Sequence, residues 1–581
     1  MNAVSPAARQ NLSVAITGSG GSGAVTTGLI LLKAAASTGF YGLMTRSAGP
    51  QIRGGESAAM LRFSPEPVEC MDDRFDLLLG IDWLNVDRFV DEIPLGPDSL
   101  VVGNAAAGDV PEILAAGGAR VRSFDFNALA AGVKGGRANM VALGILGSAC
   151  GLPPAAMEAG VRSVLAEKGD AVVTSSLTCV MAGYDQDMVS VTVAPAPREE
   201  RGNRWDISGN EACGLGALRG GIRFVAAYPI TPASEMLEWM APRLELLGGS
   251  LLQAEDELAS VNMIIGASFG GVPSLTATSG PGLSLMVEGM GLAVASETPA
   301  VVVDVMRGGP STGIPTKSEQ SDLNLALYGF HGDAPHLVLA PVSIADGAFT
   351  TQWAVYLAEH LQTIAIVLSD QALGQSRSVT DEPREPANLL VRRTEHSPVD
   401  DYHRYAISDD GISAMTAPGT PGGMYTADGL EHNEKGTPSS MALDHELQMA
   451  KRLRKIESFD FGSDWAEIRG EGPLCIVTWG SVSGAVFEAV DRLAATGVDV
   501  RVLALRLLAP LRRDALGTAL EGVGQLWVVE QNHSGQLYHY LQGAGVLPAG
   551  SRSVARPGPL PLRPGEVVDV ILDDAGTGED K

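Results

Sequence analysis

Short apolar runs that stop abruptly at glycine, proline or a polar residue recur along this 581-residue chain. "FVAAYPI", "SLTATSG", "AVVVDVM", "IAIVLS", "PLCIVTWGS", "VDVRVLAL" and "QLWVVEQN" are each about as long as one buried strand, and helical patterns separate them. Such alternation restricts the chain to an α/β architecture, because strand and helix must bury their apolar faces against each other. The opening stretch obeys the same rule: "LSVAITGSGGSGAVTTGLILLKAAASTG" reads as strand, glycine-rich turn and amphipathic helix.

The chain is too long for a single core, so several domains are expected. The first α/β segment spans 1–197 and ends in the linker-like "APAPREERGNRW"; the second spans 205–396. Residues 397–470 are poor in strands and rich in Gly, Pro, Ser, His and charge, with one basic helix at "MAKRLRKIE". A third α/β segment covers 471–575, and the tail "DDAGTGEDK" is expected to fray.

A formal charge of −27 argues against general nucleic-acid binding, which needs a basic face. The five cysteines (Cys70, Cys150, Cys179, Cys213, Cys475) form no CxxC pair, which excludes a local iron–sulfur or zinc motif. No HExxH pair occurs, so no metal ligand is expected. Neither a signal peptide nor an apolar run of membrane-spanning length is seen, so a cytoplasmic protein away from membranes is expected.

Several motifs carry chemistry. "GSGGSG" (Gly18 to Gly23) has the G-x-G-x-x-G pattern between strand and helix, but the first acidic residue of the chain is Glu56. The acid that would hold a nucleotide ribose is therefore missing. A tight turn, or an anion site near Arg46 and Arg53, remains. "GGPSTG" contains G-x-S-x-G, with Ser311, Asp322 and His331 in hydrolase order, yet Pro310 restricts the backbone before the serine. "QAEDELASVNMIIGASFGG" sets Glu255, Asp256 and Glu257 at the start of a buried helix, as caps or as a desolvated functional carboxylate. Arg307 ends a buried strand and can pair with a structural acid or offer its fork to a substrate carboxylate. In "YPITPAS" two prolines stiffen the chain around Thr231. Both loops follow strands, where open α/β sheets place their ligands, so Thr231 and Arg307 together would grip a small anionic acid.

Taken together, these stretches resemble the α subunit of the 2-oxoacid:ferredoxin oxidoreductases, in the variant with a γ domain fused in front. "GSGGSGAVTTGLIL" and "SAGPQIRGGESAAMLRFS" resemble the γ-type domain. "YPITPASE", "EDELASVNMIIGASFGG", "TSGPGLSLMVEGMGLA" and "RGGPSTGIPTKSEQSDL" resemble the pyrimidine-side thiamine-diphosphate domain. "GLEHNEKGTPS" and "KRLRKIE" resemble the connecting segment, and "WGSVSGAVFEAVDRL" and "VVEQNHSGQL" the transketolase-C-like domain.

The resemblance implies that Thr231 and Arg307 contact the substrate, with Tyr228 and Pro232 beside them. It implies that Glu257 contacts the aminopyrimidine of thiamine diphosphate, with Glu255 as the alternative. Pro229, Ile230 and Gly280 would line the cofactor. A glutamate bonded to the pyrimidine ring favours the tautomer that can take the reacting proton. The family's G-D-G diphosphate motif is absent from this chain, as is a cysteine cluster. Thiamine diphosphate would therefore be shared with a β subunit carrying Mg²⁺ and a 4Fe-4S cluster, in an (αβ)₂ heterotetramer. Coenzyme A would be the acyl acceptor, its phosphates candidates for the basic opening segment, and ferredoxin the electron acceptor. The connector "GLEHNEKG" leans towards 2-oxoglutarate over pyruvate or a branched or aryl 2-oxoacid, by resemblance. Arg46, Lys317 or a β-subunit residue would meet the distal carboxylate. The same residues serve oxidative decarboxylation or reductive carboxylation of succinyl-CoA. A non-catalytic nucleotide-binding scaffold is the alternative from a different class.

Overall fold

The computed structural model describes residues 11–49, 55–186, 188, 204–387, 389–397 and 401–576. Two compact units emerge. One runs up to Ile207 and also takes Ser376–Glu382 and the residues from Leu560 onward; the other holds Ser208–Gln375 and Pro383–Pro559.

The first unit is built on β1 (Leu12–Ser19), β2 (Tyr41–Ala48), β3 (Glu56–Ser64), β4 (Leu77–Gly80), β5 (Leu100–Asn104), β6 (Arg120–Phe124) and β7 (Trp205–Ser208). With the later strand Arg377–Thr380 inserted before β7, they form one eight-stranded sheet in the order β6-β5-β4-β1-β3-β2-(Arg377–Thr380)-β7. Helix α1 (Ala24–Ser37) follows β1 across the glycine turn, and α2 (Ala138–Ala149) adds to the same apolar core. The neighbours of β1 are β3, antiparallel, and β4, parallel. Strand β2 is therefore separated from β1 by β3, so the glycine turn does not open the adjacent parallel β-α-β pair on which dinucleotide sites are built.

The second unit carries two sheets. Strands β8 (Phe224–Ala227), β9 (Ser250–Gln253), β10 (Ser274–Thr278), β11 (Ala300–Met306), β12 (Leu337–Leu339) and β13 (Ile364–Asp370) are parallel in the order β12-β13-β11-β10-β8-β9. Every residue of β11 and β13 is buried, as expected for central strands covered on both faces. Counting Arg377–Thr380 as β14, the strands β15 (Ala466–Arg469), β16 (Leu474–Trp479) and β17 (Val500–Leu505) belong to the other sheet. Strand β18 (Leu507–Ala509) leaves that sheet to pair antiparallel with β12. The crossing residue Arg506 is buried and ion-paired to Asp346 at 2.9 Å. Strands β19 (Gln525–Glu530) and β20 (Arg552–Ala555) complete the five-stranded sheet β15-β17-β16-β19-β20.

Helices α3 (Ser234–Leu246), α4 (Glu257–Phe269) and α5 (Gly280–Ala295) follow β8, β9 and β10 in turn. The basic run of the connecting segment forms α6 (Ala442–Glu457). It is not the solvated face that its charge suggests: Lys451 and Lys455 are buried. No helix among the described residues is long and apolar enough to cross a membrane.

Candidate active site

The chain after β8 has no regular structure from Tyr228 to Ile230 and turns through Thr231 into α3. Tyr228 and Pro229 are exposed, Ile230 and Thr231 half-buried, and Pro232 buried. The Thr231–Pro232 bond is cis. The Thr231 carbonyl accepts 2.6 Å from Arg307 Nη1, and Asn210 Nδ2 donates 3.0 Å to the Pro232 carbonyl. These two bonds fix the elbow from either side. No hydrogen bond to the Thr231 hydroxyl occurs among the described residues, so that group is available to a ligand.

Arg307 stands directly after β11 and is only 7 % exposed. Apart from its bond to Thr231 the guanidinium is poorly served: Nε is buried without a partner, and no ion pair to Arg307 forms among the described residues. Burial pushes its pKa down, and the nearby Asp322 and Asp304 pull it back up. A buried arginine without a counter-ion is costly and suits an incoming anion.

Asp256 caps α4 by accepting 2.7 Å from the Ala259 amide, which leaves Glu257 as the first helical residue. Glu255 is exposed, whereas Glu257 is 6 % exposed. Burial thus separates two glutamates that spacing left open. A Cβ on Gly282, in the first turn of α5, would stand 2.6 Å from Glu257 Oε1 and collide with Thr278 Oγ1. A Cβ on Gly280 would stand 2.6 Å from Asp322 Oδ2. The bare start of α5 therefore lets both carboxylates close on it. Gly282→Ala should lower the thermal midpoint, because Glu257 and Thr278 must move aside; an unchanged midpoint would contradict this.

The residues proposed for a hydrolase do not assemble. Ser311 and His331 are exposed, no hydrogen bond joins them to Asp322, and Asp322 instead faces Asp304. Lys317 is half-buried in the loop after Arg307, with its carbonyl taken by the Gly308 amide at 3.1 Å. Among the described residues no three His, Cys, Asp or Glu side chains gather to hold a metal ion.

In the first unit, Gly23 begins α1 at φ 92°, a left-handed conformation that glycine accepts readily. Asp82 accepts from the Ser19 amide at 2.9 Å and from its hydroxyl at 2.7 Å. The turn opens on a cavity of about 690 Å³ lined by Ser19 to Ser22, Asp82, Asn104, Asn127, Arg137 and Asn139. A second cavity, about 440 Å³, shares Arg137. Arg46 lies on β2 and lines neither, and Arg53 lies outside the described residues. The basic group at this turn is thus Arg137, which sequence reading missed because no local spacing links it to the glycines.

Comparison with known proteins agrees across the chain. Sequence families described as "Pyruvate flavodoxin/ferredoxin oxidoreductase, thiamine diP-bdg", "Pyruvate ferredoxin/flavodoxin oxidoreductase" and "Transketolase, C-terminal domain" match residues 215–452, 13–186 and 464–536. The 2-oxoglutarate synthase subunit KorA of Methanothermobacter thermautotrophicus is 35 % identical over 369 residues, 63 % of this chain and 97 % of that protein. The α subunit of 2-oxoacid:ferredoxin oxidoreductase 1 from Sulfurisphaera tokodaii is 35 % identical over 379 residues. That match takes in 61 % of this chain but only 59 % of the Sulfurisphaera subunit. Among solved structures, a 2-oxoglutarate:ferredoxin oxidoreductase from Magnetococcus marinus, with 2-oxoglutarate, coenzyme A and succinyl-CoA bound, is similar at 34 % identity and a TM-score of 0.90. The similarity covers 97 % of this chain and 100 % of that one.

Proposed function

The chain belongs to the 2-oxoacid:ferredoxin oxidoreductases, and on that premise we propose that it is the α-type subunit of a cytoplasmic complex. This complex interconverts a 2-oxoacid, 2-oxoglutarate first among candidates, with an acyl-CoA and carbon dioxide, exchanging electrons with ferredoxin. The segments 1–197, 205–396, 397–470 and 471–575 take the γ-type, pyrimidine-side, connecting and transketolase-C-like parts. One observation carries the reading: Arg307 is buried beside the elbow at Thr231, and the carboxylate of Glu257 is buried on the start of a neighbouring helix, with no ion pair to the first and no side-chain hydrogen bond to the second among the described residues.

These residues suit the aminopyrimidine half of thiamine diphosphate and offer nothing for its diphosphate and Mg²⁺. A β subunit supplies that half and the iron–sulfur cluster, in an (αβ)₂ assembly. Tyr228, Leu258, Leu285 and Ile314, exposed apolar side chains on the elements that carry the site, suit coverage by this subunit. When bound, thiamine diphosphate supplies a nucleophilic carbon and an electron sink for the decarboxylated substrate.

Glu257 would hydrogen-bond to the pyrimidine ring of the bound cofactor and hold or release a proton there, favouring its activation. Arg307 binds the substrate carboxylate through its fork, which fixes the bond that will break relative to the cofactor. The Thr231 hydroxyl, already held by the elbow, orients the same carboxylate with little entropy left to lose. Pro232 and Tyr228 flank the substrate; Pro229, Ile230 and Gly280 flank the cofactor. Coenzyme A phosphates are the anions proposed for the glycine-turn cavity, now through Arg137.

Anaerobic isolation with co-expressed β subunit tests the reading. A native complex containing iron and thiamine should reduce a low-potential dye only with 2-oxoglutarate and coenzyme A. Pyruvate as the better substrate would shift the specificity, and a lone iron-free chain binding NAD(H) would favour the scaffold alternative. In the same complex, Glu257→Gln should lower kcat about 10²–10³-fold with a small change in KM. If Glu255→Gln does this instead, the role passes to that residue.

A further inference from the structure

Two aspartates lie under Arg307 without any obvious purpose. Asp304 sits on β11, opposite Thr278 of β10, with both carboxyl oxygens buried and no donor reaching either. Asp322, in the loop beyond Arg307, is seated against Gly280 with Oδ2 likewise buried and unserved. The two carboxyls face each other within reach, so a proton on one of them is what can link them, and neither forms an ion pair with Arg307. Two ionised carboxylates are disfavoured in such a place: each would lose its water and repel the other, with the Ser321 side chain beside Asp322 as the one neutral donor found for the pair. A proton between them removes both costs.

The surroundings do not neutralise the pair by other means. Arg307 is the one cation among the groups found acting on both. Glu319 approaches Asp322 from the same loop, itself held by the Gly558 amide with His533 nearby. Glu257 closes on α5 two residues beyond Gly280, the glycine that seats Asp322. Asp370, at the end of β13, is taken up by the Leu373 amide and by Ser318 and Ser481.

We propose that Asp304 and Asp322 are positioning residues that share one proton, and so leave the charge of Arg307 free for the substrate carboxylate. The proposal rests on the reading of Arg307 as the carboxylate-binding group. A doubly ionised pair would satisfy Arg307 internally and compete with the 2-oxoacid; the proton-sharing pair cannot. Consistent with this, burial pushes both carboxyls upward. Asp304 goes well above the usual carboxylate range, with the charge of Asp322 adding to the effect, and Asp322 goes to about 6.

The sign of the pH dependence follows. Substrate binds the form that holds the shared proton, so affinity is full at low pH and falls as that proton leaves. In the α–β complex, KM for the 2-oxoacid should therefore rise with pH, approaching about tenfold per unit once the pair has ionised. Binding of the 2-oxoacid in that range should take up close to one proton per site, read by calorimetry in buffers of different ionisation heat. The double variant Asp304→Asn/Asp322→Asn should show a KM flat with pH to within about twofold and no proton uptake. Asp304→Asn alone, with unchanged shape, is the second variant and should lose most of the same dependence. Retention of the wild-type slope in either variant, or the absence of proton uptake by wild type, overturns the proposal while leaving the function of Arg307 intact. A wild-type complex with no 2-oxoacid-dependent turnover overturns the functional reading and this inference together.

Discussion

Arg307→Ala in the assembled complex raises the KM for the 2-oxoacid by about 10²–10⁴-fold and leaves coenzyme A and thiamine affinity near wild type. The magnitude follows from the loss of two charge-assisted hydrogen bonds in a desolvated place, each contributing about 1.5–3 kcal/mol, against about 1.4 kcal/mol per tenfold. The variant also frees the Thr231 carbonyl, which Arg307 holds at 2.6 Å, so the elbow loosens together with the carboxylate site. Arg307→Lys should recover little, because a point ammonium cannot span both the elbow and a carboxylate. Steady-state kinetics with 2-oxoacid and coenzyme A varied separately make the check. An equal loss for every substrate at unchanged 2-oxoacid affinity would contradict the assigned role.

Glu297→Gln is expected to destabilise the second unit by about 3–5 kcal/mol, because it strands buried cations. Glu297 lies just beyond the end of α5, fully buried. Its two oxygens hold Lys451 at 2.6 Å and Lys455 at 2.9 Å, and its carbonyl accepts 2.8 Å from Arg404. Lys455 also donates 2.8 Å to the Gln362 carbonyl, so Glu297, through its carboxylate and its carbonyl, ties α6 and the Arg404 turn of the connecting segment to the end of α5. Burial pushes the Lys451 ammonium down to about 7, while the cations hold Glu297 far below the ordinary carboxylate range. Removing the one anion leaves nothing to compensate the remaining charges. The first transition in a thermal melt and the rate of proteolytic cleavage within 397–441 report the loss. Glu446→Gln, on an exposed part of the same helix, is the control and should shift neither. A Glu297→Gln melt that overlays wild type would show that the cluster has another means of balance.

Much of the site was legible in the residues themselves. The apolar runs "AVVVDVM" and "SLTATSG" became β11 and β10, and the loops after the strands carry Thr231 and Arg307 as expected. "EDELASV" announced a capped helix start, and Asp256 is that cap. Other parts gave weaker signals. Ser250–Gln253 and Leu337–Leu339 are too short for periodicity to reveal, and both are strands. "MAKRLRKIE" has the pattern of a basic helix, but nothing near it in the chain foretells that both of its lysines are buried.

The sequence by itself determined the order of strands, turns and helices, the caps, and the residue types available at each loop. These depend on side-chain periodicity and turn chemistry over a few neighbouring residues, which any window of the chain contains. Tertiary structure alone decided which carboxylates lose their water. It buried Glu257 and left Glu255 exposed, paired Asp304 with Asp322, and enclosed Glu297 among cations from a distant segment. It also sent β18 to the sheet of β12 and Arg377–Thr380 to the sheet of β2. The reason is physical: burial and pairing are set by groups far apart in the chain, and their free energy exists only once folding has brought those groups together and excluded water between them.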